Sequence, residues 1–525
     1  MRITSLGHAG MLIASGETSI LCDPWFEPAF FGSWFPFPRN DQLDDALKSA
    51  IENPTYLYIS HLHGDHLDET FLAAHVNKST PVLLPDFPTR ELERTLSKLG
   101  FRTFIRTQNA IANPLSGGVS VAIHVETSIS DGPGGDSALV VIDGETIVIN
   151  QNDCRIHDFG ALGSHGKVDV HLLQFSGAIW YPMVYEIPEE EKRALAHAKV
   201  ESQFARAIAY VEKVGARVVV PSAGPPCFLD PELFHLNSIT GEETTIFPHQ
   251  PEFVARLKAR SHDAILNMPG TTITVTPSDV QVTHPVADDE LHSIWANIDS
   301  YLKAYQADWL PWLAAHKATW PAPTDNLLKD IQTWFRPLLA MCPTVAMGVG
   351  GNCLIQTVSA AGGEPTADDL GIYIHFEYGD VQRYTNQPYV HRFTVQRELL
   401  EAIVANRAVD WSNALFLSAR FRAWREGEFN ENVYNFFKSL SVERMSRTEV
   451  EAYRRATEPE VNNDEVQIGD YVVERYCPHR QADLSVFGTI EGDELVCSLH
   501  GWRFDLATGK CNSSADKSIN IRKRS

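Results

Sequence analysis

Long apolar runs are missing from the chain: nowhere do about 18 or more hydrophobic residues follow one another, so no membrane-spanning helix is expected. A charged n-region with an apolar h-region is missing too, and the first residues, Arg2-Ile3-Thr4-Ser5-Leu6, already read as a strand. A cytoplasmic protein is expected. Basic residues are scarce, with 44 Lys and Arg against 67 Asp and Glu and a formal net charge of −23. A polyanionic partner needs a basic surface, so neither nucleic acid nor an anionic membrane is expected as a partner. Cysteine is sparse, eight in 525 residues, without the dense even spacing of a secreted disulfide scaffold. That points to a reducing compartment in which any special Cys serves a metal. Internal repeats are absent. Gly348-Val349-Gly350-Gly351-Asn352-Cys353 lacks the strand, spaced glycines and helix of a dinucleotide fingerprint, and reads as a turn.

What is present is an ordinary globular composition, 44% hydrophobic and 21% charged, in a chain long enough for two or three domains. Its densest chemistry is Ile59-Ser60-His61-Leu62-His63-Gly64-Asp65-His66, directly after the apolar run Tyr56-Leu57-Tyr58-Ile59. His61 and His63 sit two apart, so in an extended exit from a strand they project the same way and can share one ion. Asp65 and His66 fall on the following turn. Residues 2–24 alternate short apolar runs with Gly turns, as in a hairpin. His8, in Gly7-His8-Ala9-Gly10, either lines the metal site or packs in its loop. Residues 26–40 are rich in Phe, Trp and Pro and are expected to wall a pocket or an interface. Beyond the His cluster come a helix (68–77), a strand (81–84) and a helix (88–99), and the alternation to about residue 220 implies a layered α/β arrangement.

The spacing His61-x-His63-x-Asp65-His66 resembles the metallo-β-lactamase superfamily signature and is complete. Two positions depart from the hydrolases of that superfamily. In Ser130-Asp131-Gly132-Pro133-Gly134, Asp131 occupies the place of a His, and in Val220-Pro221-Ser222-Ala223-Gly224, Ser222 and Ala223 stand where the last His is delivered. Asp153, after the strand Thr146-Ile147-Val148-Ile149, fits the position of the carboxylate that bridges two metals there. Losing a His from each half weakens the dinuclear hydrolase reading. What remains is His61 and His63 with one carboxylate, Asp131 or Asp153, the ligand set of non-haem iron oxygenases. His124 competes for the third place, but its alternating strand Val121-Ala122-Ile123-His124-Val125 favours packing.

A second constellation lies near the other end. Cys477-Pro478-His479 is followed, after a spacer, by Cys497-Ser498-Leu499-His500. Cys477 and Cys497 on one iron and His479 and His500 on the other would form the mixed ligation of a Rieske [2Fe–2S] centre. Zinc also accepts two Cys and two His. The flanks, Cys-Pro-His and His500-Gly501-Trp502-Arg503-Phe504-Asp505, resemble Rieske domains throughout. Gln481 stands where many Rieske loops carry Gly, and Cys511 reads as packing. A Rieske cluster passes electrons one at a time and does no bond chemistry itself, so another metal must use them.

The fragments Leu6-Gly7-His8-Ala9-Gly10-Met11, Asp23-Pro24-Trp25, Tyr58 to Leu67, Asn152-Asp153-Cys154-Arg155, Phe175-Ser176-Gly177-Ala178 and Pro221-Ser222-Ala223-Gly224 together resemble the CMP-N-acetylneuraminate hydroxylase family. The resemblance covers most of residues 1–240 and continues weakly into 390–440. It implies a Rieske domain joined to a metallo-β-lactamase-like domain, and insertion of one oxygen atom from O2. In that family the Rieske domain comes first, whereas here it comes last.

Between the two motifs, a helical pattern runs from Leu291 to Tyr305, the Trp residues at 295, 309, 312, 320 and 334 read as core, residues 370–376 alternate as a strand, and 395–408 form a helix. Arg420, Arg422 and Arg425 could meet an anionic substrate, but read first as a solvated helix face. Glu458 to Asp464 is polar and Pro-broken, as in a linker. The expected fold is α/β: a metallo-β-lactamase-like αββα sandwich over 1–285, an α+β helical and aromatic-rich region over 286–460, and a small all-β Rieske domain over 461–525. The expected activity is O2-dependent hydroxylation or oxidation of a polar metabolite, sugar-nucleotide-like or containing an amine or amide. His61, His63, Asp131 and Asp153 would be catalytic, and Asp65 and His66 further metal ligands. A metal-dependent hydrolase with an auxiliary cluster is the alternative. The expected cofactors are the Rieske [2Fe–2S] cluster and a mononuclear non-haem Fe(II), with zinc as the competitor. An external ferredoxin, flavodoxin or cytochrome b5-like carrier with an NAD(P)H reductase is expected as partner, and a homo-oligomer if the C-terminal domain docks on a neighbouring subunit.

Overall fold

The computed structural model describes the chain except residues 128–133, 178, 458–463, 480, 500, 513–516 and 525. Asp131, His500 and the expected linker as far as residue 463 therefore lie outside the described residues. The chain divides into two compact units, Met1–Ala178 with His197–Leu310, and Ile179–Ala196 with Pro311–Ser525.

In the first unit the elements run β1 (Arg2–Gly7), β2 (Gly10–Ser15), β3 (Thr18–Cys22), α1 (Asp45–Glu52), β4 (Tyr56–Tyr58), α2 (Glu69–His75), β5 (Val82–Leu84), α3 (Glu91–Lys98), β6 (Phe104–Arg106), β7 (Asn113–Pro114), β8 (Ser120–Glu126), β9 (Asp136–Ile142), β10 (Ile147–Asn152), α4 (Phe159–Gly163) and β11 (Val170–Gln174). They continue through α5 (Glu189–Val214), of which the part from His197 belongs to this unit, β12 (Val218–Ser222), α6 (Gln250–Lys258), β13 (Thr272–Val275) and β14 (Val280–Thr283). Two sheets result, ordered β14-β13-β1-β2-β3-β4-β5-β6 and β12-β11-β10-β9-β8-β7. Period-two alternation splits each strand between two cores. Ile3, Met11, Ile13, Ile20 and Tyr58 of the first sheet meet Val121, Ile123, Leu139, Val141 and Val148 of the second in one buried cluster. On the outer face of the first sheet, Leu12, Leu21 and Leu57 pack on Phe71, Leu72, Leu92 and Leu96 of α2 and α3. On the outer face of the second, Ala122, Val140 and Ile149 pack with Leu162 of α4 and Val214 of α5. Helices outside two facing sheets make the expected metallo-β-lactamase-like αββα sandwich.

The helical pattern from Leu291 breaks at Asn297 into α7 (Asp288–Ala296) and α8 (Ile298–Lys317). The second unit then carries α9 (Leu327–Ala340), α10 (Pro343–Val349), β15 (Cys353–Val358), β16 (Gly371–His375), β17 (Asp380–Arg383), β18 (His391–Gln396), α11 (Arg397–Ala405) and β19 (Phe421–Arg425), the strands ordered β17-β16-β15-β18-β19. α10 stops at Gly350, whose φ of 68° is the left-handed cap that the turn reading of this glycine run requires. Two of the readings change. Residues 421–425 are a strand rather than a helix, and Arg422 pairs with Glu364 and Glu186 instead of facing solvent alone. Of the clustered Trp residues, Trp334 enters the core, while Trp295, Trp309, Trp312 and Trp320 stay half-buried. After α12 (Glu431–Lys438) and α13 (Val442–Thr457), the chain ends in β20 (Glu465–Ile468), β21 (Tyr471–Glu474), α14 (Leu484–Phe487), β22 (Gly488–Glu491), β23 (Glu494–Cys497), β24 (Trp502–Asp505) and β25 (Ile521–Lys523). These strands form two small antiparallel sheets, β20-β21-β25 and β22-β23-β24. Among the described residues, no helix is long and apolar enough to cross a membrane.

His124 shares the parity of Ala122, so it faces α4 and lies 2.9 Å from His165, Nε2 to Nε2, away from the metal-capable cluster. Burial and then His165 push its imidazole down to about 4. An imidazole held below its ordinary 6.5 costs nothing at higher pH, but as pH falls from about 6.5 towards 4 the unfolded chain takes up a proton that the folded one refuses. The melting temperature is therefore expected to drop across that window, and less steeply in His124→Gln. Parallel curves for the two proteins would reject this.

Candidate metal centre

The His-rich loop is fixed at both ends by backbone geometry. It leaves β4, which is paired in parallel with β3 and β5, and turns at once, with the backbone N–H groups of His66 and Leu67 donating to the carbonyl of His63 at 3.0 and 2.8 Å. Asp68 then caps α2: its carboxylate accepts from the N–H groups of Phe71, Phe26 and Glu27. The aromatic stretch 26–40 lies beside this loop, since a Cβ on Gly64 would meet Ala29 at 3.6 Å and Phe30 at 3.8 Å.

Among the described residues, two groups of three metal-capable side chains have ligand atoms within 4.8 Å of one another: His61, His63 and Asp153, and His8, Asp65 and His66. The carboxylate of Asp153 stands between them, with Oδ2 3.8 Å from His61 Nε2 and Oδ1 3.4 Å from His66 Nε2. Asp153 reaches this place because β10 shifts register at its end. Asn152 takes a left-handed φ of 45°, its amide donates to the carbonyl of Ser137, and its side-chain oxygen accepts from the N–H of Asp153 at 2.7 Å.

Three of the four imidazoles are oriented from behind. His66 donates from Nδ1 to Asp23 at 2.9 Å, and Asp23 also accepts from the N–H of Ser60 at 2.7 Å and its hydroxyl at 2.6 Å. His61 Nδ1 lies 3.2 Å from Asp136 Oδ1, and His8 Nε2 lies 3.0 Å from Asp65 Oδ2. These partners leave His61 Nε2, His63 Nε2, His66 Nε2, Asp65 Oδ1 and Asp153 Oδ1 buried with no hydrogen-bond partner. Buried polar atoms are almost always satisfied, so five orphans in one place call for a ligand that is not protein.

The electrostatics agree. Burial opposes a charge on Asp65, yet His66 and His8 outweigh it and hold the carboxyl well below its usual range. Burial likewise opposes a charge on Asp153, but His66 and His61 keep it low. For His66, burial is overcome by Asp153, Asp65 and Asp23, and its imidazole is raised well above the ordinary value. His61 is raised against burial by Asp136 and Asp153. His63, pushed down to about 3 by burial and then by His61, offers a neutral nitrogen. Burial lifts Asp136 to about 6. A pocket that raises imidazoles and holds carboxylates ionised favours positive charge, and nitrogen and carboxylate donors suit iron or zinc.

Asp136 and Asp23 were not identified as site residues from the sequence. Asp23 opens the fragment Asp23-Pro24-Trp25, but nothing local ties it to His66, which is 43 residues away. Ser222 is buried at the end of β12 with its hydroxyl unpartnered, and the N–H of Ala223 donates to the carbonyl of His8 at 3.0 Å. The strand that carries the last His in hydrolases thus meets His8 here.

In the C-terminal sheets, Cys477 follows β21 and Cys497 ends β23, both fully buried. The N–H of Gln481 donates to the carbonyl of Cys477 at 2.9 Å, and Gln481 adopts φ 56°, the conformation a glycine would take there at no cost. Gln481 in the glycine position therefore keeps the turn. His479 stacks on Trp502 with centroids 4.0 Å apart. The hydrogen bond to Cys497, and then burial, hold the Cys477 thiol well above its usual value, with Cys511 close enough to add to the effect. Two such thiols ionise together when a metal supplies the countercharge, which fits a Cys-bound iron.

Residues 441–520 match the Rieske [2Fe–2S] domain family, and residues 327–454 match the Rv3818-like, SCP2-like domain family. A Rieske 2Fe–2S iron-sulfur protein of Mycolicibacterium smegmatis is 40% identical over 533 residues, covering 100% of both chains. A cytidine monophosphate-N-acetylneuraminic acid hydroxylase of Danio rerio is 31% identical over 196 residues, 35% of this chain and 30% of its own, so the resemblance to that family is confined to about a third of the sequence. Among solved structures, a metallo hydrolase of Ignicoccus hospitalis is 16% identical and covers 54% of this chain and 98% of its own at a TM-score of 0.36. On the full-length match, the chain belongs to the family of Rieske 2Fe–2S iron-sulfur proteins.

Proposed function

We propose that this Rieske protein is an O2-dependent oxidoreductase whose cluster feeds electrons to non-haem iron in the αββα sandwich. The observation that carries the reading is the set of orphaned, buried donor atoms around Asp153 in a chain that also holds a Rieske domain. Cys477 and Cys497 would hold one iron of the cluster, and His479 and His500 the other. His61, His63 and Asp153 would hold the catalytic iron, with Asp131 as the other carboxylate the sequence offers. Asp65 and His66, with His8 behind Asp65, surround a second position, so the mononuclear reading extends to a site with room for two ions. When bound, the cluster supplies single electrons and the iron supplies O2 chemistry towards hydroxylation or oxidation of a polar metabolite. The protein's own contribution is orientation: Asp23, Asp136 and Asp65 keep the N–H sides of His66, His61 and His8 engaged. An external ferredoxin, flavodoxin or cytochrome b5-like carrier with its reductase would renew the electrons, and a homo-oligomer would allow transfer between subunits.

A second reading, a dinuclear hydrolase with an auxiliary cluster, is favoured by one observation: Asp153 faces both ligand groups, as a bridging carboxylate would.

Metal and acid-labile sulfide in anaerobically purified protein separate the two. The expected result is about two sulfides and about three or four iron per chain, a Rieske signal in the reduced sample, and reductant-dependent O2 uptake. His63→Ala is expected to lose non-cluster iron while keeping the sulfide. Zinc in place of that iron, with turnover that needs no reductant, would sink the oxidoreductase reading.

Removing the carboxylate behind His66 tests the site from outside the ligand set. Asp23→Ala is expected to loosen metal retention by about 10- to 100-fold against a chelator, with sulfide content unchanged. Retention equal to wild type would place His66 outside the metal centre.

A further inference from the structure

The Rieske protein carries on α5 a pair of cations that the metal chemistry does not use, Arg206 buried and Lys199 half-buried. Lys199 and Arg206 lie two turns apart on α5, with Gln203 between them on the same face. Arg206 is 6% exposed, and among the described residues its guanidinium donates only a long hydrogen bond of 3.4 Å to the side-chain oxygen of Gln174, at the end of β11. Neither Lys199 nor Arg206 has an ion-pair partner among the described residues. Instead they repel: both interact with Arg155, two residues beyond Asp153, and Lys199 interacts with Arg206. Burial and then these guanidinium groups push the Lys199 ammonium down to about 7.

Gln203 is 1% exposed and neither end of its amide has a partner. It lies directly over Gly177, where an added Cβ would come within 2.3 Å of its nitrogen. The next turn closes on the metal centre: a Cβ on Gly224 would meet Ser176 Oγ at 2.6 Å and His8 Cε1 at 4.0 Å. Arg206 is also within electrostatic reach of Asp153. The cationic face therefore sits at the same ends of β10 and β11 that present Asp153, on the side towards α5.

Two cations on one helix face that form no ion pair of their own, as Lys199 and Arg206 do, are costly to hold, and a fold retains them where a ligand brings the opposite charge. We propose that Lys199 and Arg206, with Arg155 and the Gln203 amide beside them, form a subsite next to the metal centre for the anionic group of the substrate, a phosphoryl or carboxylate group. The subsite deepens the oxidoreductase reading and rests on it for what happens at the metals. Its role is to anchor the charged end of the substrate and leave another part of it near the metal ligands.

The test is calorimetric titration of the full-length, metal-loaded protein with inorganic phosphate and separately with acetate, with no turnover. Wild type is expected to bind one of them, and Lys199→Met and Arg206→Gln are each expected to weaken that binding at least about tenfold, while Arg206→Lys keeps most of it. Iron and sulfide measured in the same samples are expected to match wild type, which separates the subsite from the metal centre. Tighter phosphate assigns a phosphoryl-bearing substrate and tighter acetate a carboxylate. If Arg206→Gln fails to fold, half-buried Lys199→Met and Arg206→Lys carry the comparison. Failure of both anions to bind wild type, or affinities unchanged in the variants, overturns the subsite. If zinc replaces iron but anion binding behaves as expected, the oxidoreductase reading falls and the subsite stands.

Discussion

Buried carboxylates need positive charge beside them, and this requirement organises the end of the αββα sandwich. Asp23, Asp65, Asp136 and Asp153 are brought together with His8, His61, His63 and His66 where strands of both sheets terminate. Isolated, any one of these acids would be expensive to ionise in so dry a place. Together they raise the imidazoles of His61 and His66 and leave donor atoms unsatisfied, so the arrangement is complete when a cation occupies it. His61 and His66 are thus themselves held by the acids beside them, Asp136 and Asp23.

That geometry is maintained by a backbone under strain. His8, Asp23, Asn152 and Ala223 all adopt φ between 41° and 51°, a region that non-glycine residues avoid, at a cost of order 1–3 kcal/mol each. Each serves the site: His8 and Asp23 are in it, Asn152 aims Asp153, and Ala223 binds the backbone of His8. Their support comes from the packed sheets. Tyr58 reaches across to Ser137 at 2.8 Å, and Ser137 donates to the carbonyl of Ser60 at 2.7 Å, joining the His loop on one sheet to the strand of Asp136 on the other.

Local patterns made much of this legible. His61 and His63 announce themselves by spacing, and Asp153 by following a strand that the apolar run 146–149 already marks. The alternation of apolar residues separates the inner from the outer faces of β8 and placed His124 in packing. What pattern could not reveal depends on register between distant strands. Asp136 faces His61 because β9 pairs with β8 and β10 in one alignment, and Asp23 reaches His66 through parallel pairing of β3 with β4. Arg420 to Arg425 misled because arginines interleaved with aromatics suit a helix face as well as a strand, and the pairing of β19 with β18 decides it. Lys199, Gln203 and Arg206 look like an ordinary helix surface until the ends of β10 and β11 lie beneath them.

Among the described residues, the donors around Asp153 are nitrogen and oxygen, with no sulfur among them. Cys22 ends the neighbouring strand, but it packs in the core between the sheets, and burial followed by the nearby Asp23 holds its thiol well above the usual value. It stays protonated and inward, unsuited to ligation. A set of imidazoles and carboxylates accepts zinc or iron with little preference in geometry alone. On the proposed oxidoreductase reading, the covalent arrangement of the chain favours iron. A one-electron donor carried on the same polypeptide is of use to an ion that changes oxidation state, and zinc does not. Hydrolysis would make no use of the Rieske domain, whereas an oxidation draws on both ends of the chain.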